Sequence, residues 1–199
     1  MAVEAGSRHA LGSFLTCLGI AFTAGVSAPL AASQALPAKG SIEVAFSPSD
    51  NPEGLLLRVI GDARDSIRVH AYVFTSRAIA GGLVAAHQRG VRVEVLADAE
   101  MNRRGGRNAA LPRLLDAGVP VAFETAYAAA HNKVLIVDPG RAGCTVVTGS
   151  YNFTWSAQNR NAENVLVLRD NCPLVDAYLR NWERHREMAT VVTNLPWSP

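Results

Sequence analysis

The segment from His131 to Glu163 constrains the fold more tightly than any other part of the chain. It opens on a β-branched, apolar run at 131–138 and turns through Pro139-Gly140. A second such run at 144–148 leads into Gly149-Ser150-Tyr151-Asn152. Two short runs of this kind around a Pro/Gly turn predict a β-hairpin. Along a strand, side chains alternate faces with period two. His131 and Lys133 therefore share a face, as do Ser150 and Asn152, and hairpin pairing gathers all four at one end. An imidazole, an ammonium, a hydroxyl and a carboxamide converging on one point suit a phosphate. Lys133, Ser150 and Asn152 donate to its oxygens, and His131 attacks phosphorus or carries protons. Asp138, seven residues after His131, falls on the opposite face and is expected to be structural, at the turn. Gly149 is expected to let the backbone approach closely.

The rest of the chain alternates strand and helix patterns. Strands are expected at 42–46, 67–74, 91–96, 119–123 and 164–168. Helices are expected at 52–66, from Ser76 to about Arg89, at 107–117, 154–158 and 173–188. Asn51 precedes Pro52 as an N-cap signal, and Ser76 plays the same part for the second helix. The pair Gly81-Gly82 inside that helix is expected to mark close packing against the sheet. Alternating elements of these lengths predict an α/β domain, a mixed β-sheet flanked by helices.

His131-x-Lys133-x4-Asp138 followed by Gly149-Ser150-x-Asn152 resembles the signature of the phospholipase D superfamily, and Asn161-Ala162-Glu163-Asn164 extends the match. The chain is most similar to the small, single-motif bacterial endonuclease branch, over roughly residues 42–182. One departure is the ten residues between Asp138 and Gly149, a longer hairpin tip than the common pattern. The resemblance implies that His131 is a nucleophile forming a covalent phosphohistidine intermediate. It implies that Lys133 clamps the phosphate and stabilises the transition state. It also implies that Glu163 hydrogen-bonds the catalytic imidazole and fixes its orientation. This mechanism needs a second imidazole to protonate the leaving oxygen, yet His9, His70, His87 and His185 lack Lys and Asp at the required spacing. A homodimer with the active site at its two-fold interface is the expected remedy.

The remaining features bound the setting. The chain has 199 residues, enough for one domain, and a net charge of +2, which does not by itself announce a nucleic-acid binder. Residues 1–35 read as an export signal, with Arg8 and His9 ahead of an apolar stretch and Ser33-Gln34-Ala35 as a cleavage site. The competing reading is an uncleaved membrane anchor, although the apolar run is shorter than the ~20 residues a spanning helix needs. Residues 36–199 are then the phosphodiesterase domain, periplasmic or secreted. Cys144 and Cys172 either form one disulfide or stay as two half-buried thiols. Arg103, Arg104 and Arg107, in a Gly-rich stretch after the third strand, are candidate nucleic-acid contacts, with a solvated loop as the alternative. No cofactor and no metal is expected, because no His-x3-His pair, paired CxxC or carboxylate cluster occurs.

The expected activity is metal-independent hydrolysis of phosphodiester bonds in DNA or RNA. Two alternatives stay open: a phospholipase D cleaving phospholipid headgroups, and a non-catalytic nucleic-acid-binding module.

Overall fold

The computed structural model describes residues 1–2, 33–103 and 110–194. Most of the expected export signal, and Arg104 and Arg107, lie outside these residues. Leu36–Pro199 forms one compact unit. Among the described residues, no helix is long and apolar enough to cross a membrane.

Eight strands form one mixed sheet: β1 (Ser41–Ser47), β2 (Ser66–Ala71), β3 (Arg92–Asp98), β4 (Val121–Glu124), β5 (Lys133–Val137), β6 (Thr145–Gly149), β7 (Glu163–Arg169) and β8 (Thr190–Val191). Their order is β1-β7-β6-β5-β2-β3-β4-β8. β2, β3 and β4 run parallel, joined by helical crossovers. β2–β5, β5–β6 and β6–β7 are antiparallel, so the 131–163 segment is a hairpin extended by one more strand. The helices are α1 (Pro52–Asp62), α2 (Arg77–Gln88), α3 (Ala99–Arg103), α4 (Leu111–Asp116), α5 (Trp155–Asn159) and α6 (Cys172–Met188).

Local chemistry explains the helix boundaries. Asn51 accepts from the Gly54 N–H with Pro52 in the first turn, and Ser76 accepts from the Ile79 N–H. Helix α1 stops at Asp62, short of the expected 66, because the N–H groups of Arg64, Asp65 and Ser66 are captured by the Asp138 carboxylate instead of helical carbonyls. The third expected helix begins at Leu111, not 107. Gly81-Gly82 serves helix–helix packing rather than packing on the sheet. A Cβ on Gly82 would lie 3.0 Å from Leu57 Cδ2 of α1, and one on Gly81 would face Arg113 of α4.

The sheet separates two cores. On one face Leu55, Leu56 and Ile60 of α1 and Ile79 and Leu83 of α2 pack over Val69, Val95, Leu135 and Val167. On the other, Val175 and Trp182 of α6 cover Leu96, Val134, Ile136 and Val146. Alternation along each strand produces this division, with His70 facing α6 while its neighbours Val69 and Ala71 face the larger core. Cys144 and Cys172 form a disulfide with Cα atoms 5.6 Å apart, tying the start of β6 to the start of α6.

Candidate active site

The hairpin register pairs Leu135 with Val147 and Val137 with Thr145. Continued toward its open end, that register sets Lys133 across from Gly149. His131 lies just before β5, and both of its neighbours are fixed. The Ala130 N–H donates to the Asp98 carboxylate at 2.8 Å, and the Asn132 carbonyl accepts from the Tyr72 N–H at 2.9 Å. The His131 ring packs on Tyr72 with centroids 4.2 Å apart.

On the facing side, residues 150–153 alternate outward and inward. Tyr151 and Phe153 are buried in the core, and the Phe153 carbonyl accepts from the N–H groups of Thr75 and Ser76. Ser150 and Asn152 are thereby directed into the cleft. Thr154 then caps α5 by accepting from the Ala157 N–H. Gly149 allows this turn: a Cβ there would sit 2.2 Å from the Asn164 carbonyl oxygen.

His131, Lys133, Gly149, Ser150, Asn152 and Glu163 line one open cleft of about 560 Å³. Lys133 is 7% exposed, and its ammonium donates to the His131 carbonyl at 2.9 Å while sitting 4.7 Å from the centre of the Tyr72 ring. Burial pushes the Lys133 amine below the ordinary lysine range, and the negative charge of Glu163 opposes that shift. The lysine therefore waits at the cleft with little solvation to lose when an anion arrives. The Asn152 Oδ1 is buried without a hydrogen-bond partner among the described residues. The other end of that carboxamide, Nδ2, is the group able to donate to a phosphate oxygen, since Oδ1 and phosphate oxygens both only accept.

The expected cluster is therefore assembled, with two corrections of detail. Glu163 does not hydrogen-bond the His131 imidazole among the described residues. Its carboxylate accepts from the Ser150 hydroxyl at 2.6 Å and from Asn161 Nδ2 at 2.9 Å. It fixes the Ser150 hydroxyl and bears on Lys133 through charge. Asp138 is structural as expected, but it secures the α1–β2 connection through three backbone N–H groups rather than the tip of its own hairpin. Arg103 does not line the cleft. It ends α3, with its guanidinium 5.3 Å from the centre of the Phe123 ring.

Three supporting residues were not singled out from sequence. Tyr72 backs both His131 and Lys133, Asp98 holds Ala130, and Asn102 accepts from the Phe74 N–H while donating to the Tyr72 and Asp98 carbonyls. A polar residue closing an apolar strand, as Asp98 closes β3, is the one local signal that points to any of them.

A family profile described as "Cardiolipin synthase, PLD-like domain" matches residues 56–186. The chain belongs to the phospholipase D superfamily. Within it, a protein called phospholipase D from Rickettsia bellii is 36% identical over 144 residues, covering 72% of this chain and 68% of that one. A mitochondrial cardiolipin hydrolase of Xenopus laevis is 34% identical over 130 residues, 65% of this chain and 58% of its own length. The crystal structure of Nuc, a phospholipase D family member from Salmonella typhimurium, superimposes with a TM-score of 0.71 at 33% identity. It covers 77% of this chain and 99% of Nuc. The mixed sheet flanked by helices is thus the phospholipase D fold. The protein is a phosphodiesterase-type hydrolase of that superfamily, with the signature residues His131 and Lys133 at the open end of β5.

Proposed function

We propose that this protein is an exported endonuclease that hydrolyses phosphodiester bonds through a phosphohistidine at His131. The convergence of His131, Lys133, Ser150 and Asn152 on one open, polar-lined cleft carries this reading. In the first step the His131 imidazole attacks phosphorus, a P–N bond forms, and the P–O bond to the leaving alcohol breaks. Lys133 and Asn152 Nδ2 take the charge gathering on the non-bridging oxygens. The leaving oxygen takes a proton from a second imidazole. Water then attacks phosphorus and gives its proton to that imidazole, and the P–N bond breaks to restore His131.

The second imidazole is assigned to His131 of another copy, since none of the other described histidines lines the cleft. Ile42, Val44 and Phe46 form an exposed apolar row on edge strand β1, 65%, 49% and 52% exposed, ending where Ser47 pairs with Glu163. A second copy covering this row would lie beside the cleft. Phe46→Glu should convert dimer to monomer in sedimentation velocity and reduce turnover with it. A monomeric wild type with undiminished turnover would remove the shared-site reading.

The resemblance of the signature residues to the small, single-motif bacterial endonuclease branch supports a nucleic-acid substrate, and the match to the phospholipase D family member Nuc runs over nearly the whole of that protein. The Cys144–Cys172 disulfide supports export to an oxidising compartment. The second reading is phospholipid headgroup cleavage, favoured by similarity to proteins called phospholipase D and mitochondrial cardiolipin hydrolase. The deciding assay offers plasmid DNA, structured RNA, and cardiolipin and phosphatidylcholine vesicles to the wild type and His131→Ala in excess EDTA, with folding followed by circular dichroism. Nucleic acid cut only by the wild type supports the nuclease. Headgroup or phosphatidyl release with intact nucleic acid moves the protein to the lipid branch.

A further inference from the structure

On the α6 face of the sheet, among residues that do not line the catalytic cleft, three ligand-bearing side chains meet. His70 projects from β2, Glu124 from the end of β4 and His185 from the last turns of α6. His70 and Glu124 are 2% and 4% exposed. One donor atom from each residue lies within 4.8 Å of the others. His70 Nε2 stands 3.4 Å from Glu124 Oε1, and His185 Nδ1 stands 2.5 Å from the same oxygen.

Hydrogen bonding does not satisfy this cluster. A proton between His185 and Glu124 accounts for one contact. His70 Nε2 and Glu124 Oε2 stay buried with no hydrogen-bond partner among the described residues. Two orphaned polar atoms in a packed core are expensive, and here they border one small volume. A cation placed there would use both.

The donor set identifies the class of ion. Two imidazoles disfavour magnesium and calcium, which prefer oxygen ligands. Two histidines and one glutamate form a zinc set, with a fourth position left for water. In a tetrahedral site with bonds of about 2.0–2.1 Å, neighbouring donor atoms lie about 3.3–3.4 Å apart. The His70–Glu124 separation already has that value, the His185–Glu124 contact would open by slightly less than 1 Å, and the widest donor separation in the set, 4.8 Å, would close by about 1.4 Å on binding. Glu124 also borders a pocket of about 400 Å³ shared with Asp98 and Tyr127.

One hydrogen bond and two ring contacts hold the frame around the cluster. Trp182, one turn before His185, donates its indole N–H to the Val69 carbonyl at 3.0 Å, pinning α6 to β2 beside His70. Tyr127 stacks on the His185 ring with centroids 4.8 Å apart, and the His70 and His185 rings meet edge to face at the same separation. Supports of this kind hold imidazole ligands in orientation.

We propose that His70, Glu124 and His185 bind one zinc-class divalent ion, which clamps α6 onto β2 and β4 and takes no part in the chemistry at His131. The test uses the full chain, stripped with a strong chelator and titrated with zinc or cobalt alone. One zinc per chain should bind by calorimetry and by elemental analysis after gel filtration. At a hundredfold excess over Kd, zinc should raise Tm by about 5–10 °C. Cobalt should give the visible absorption of a tetrahedral site. His185→Gln, at the more exposed edge of the cluster, should fold without metal and lose both the Tm rise and the cobalt band. His131→Ala should keep both. Absence of stoichiometric binding, with Tm unmoved by zinc, would overturn the proposal and leave a proton-sharing His–Glu–His core. Binding abolished by His131→Ala but kept by His185→Gln would overturn it too, by moving the ion to the cleft.

Discussion

Replacing Asp138 separates a structural carboxylate from a catalytic one. Asp138 is 7% exposed, has a φ of 48°, and accepts from the Arg64, Asp65 and Ser66 N–H groups at 2.9, 2.8 and 2.9 Å. Hydrogen bonds to a charged acceptor contribute about 1.5–3 kcal/mol each. The Arg64 and Asp65 donors are only partly buried and regain water when the carboxylate goes, whereas the Ser66 donor is buried and does not. A left-handed backbone also costs alanine roughly 1 kcal/mol. Asp138→Ala should therefore destabilise the fold by about 3–4 kcal/mol. Asp138→Asn tolerates the positive φ, keeps the two bonds to Oδ1 and turns an amide N–H toward Arg64, so it should cost about 1.5 kcal/mol. Urea unfolding at fixed protein concentration measures both, since dimerisation would otherwise move the midpoint. Turnover per folded molecule should stay at the wild-type level in Asp138→Asn. An alanine variant within about 1 kcal/mol of wild type would refute the reasoning, as would a stable asparagine variant without turnover.

Three further outcomes follow from the geometry. The chain has only two lysines, Lys39 and Lys133, so a carbon-13 NMR titration can follow Lys133 directly. Its pKa should lie below the ordinary lysine value and fall further in Glu163→Gln, because Glu163 is the charge that raises it. An upward or absent shift in the variant would contradict the assigned cause. The folded-state value lies below the unfolded one, so this group's contribution to stability should rise as pH climbs between the two. Gly149→Ala drives a Cβ against the Asn164 carbonyl and should cost about 2 kcal/mol or more in chemical denaturation while displacing Ser150. Replacing Cys144 and Cys172 together by serine opens a link across 28 residues and should cost about 3.5 kcal/mol, read as a lower Tm that reductant no longer changes.

Much of the fold and the site is legible in the residues because its determinants are local. Asn51, Ser76 and Thr154 announce helices with their own side chains, and period-two alternation from 131 to 152 predicts which groups share the cleft. What escapes notice depends on partners distant in the chain. β8 is two residues long and exists through its pairing with β4, and five-residue α3 has no periodic pattern of its own. The end of α1 is decided by Asp138, more than seventy residues later. Glu163 turns toward Ser150 because β6 and β7 pair with Gly149 opposite Val165, a register that motif spacing does not encode. His70, Glu124 and His185 come from three elements with no shared motif, and only the folded sheet brings them together.

The central claim is nucleophilic attack by His131, and a trapped adduct tests it most directly. Oligonucleotide carrying radiolabel at both ends is mixed with enzyme and quenched in alkaline detergent, where a phosphorus–nitrogen bond to histidine survives. Label should migrate with wild-type protein during turnover, disappear on brief acid treatment, and be missing from His131→Ala, which should also be inactive. Cleavage by the wild type without any protein-bound label under rapid quench, or turnover retained in His131→Ala, would contradict the account.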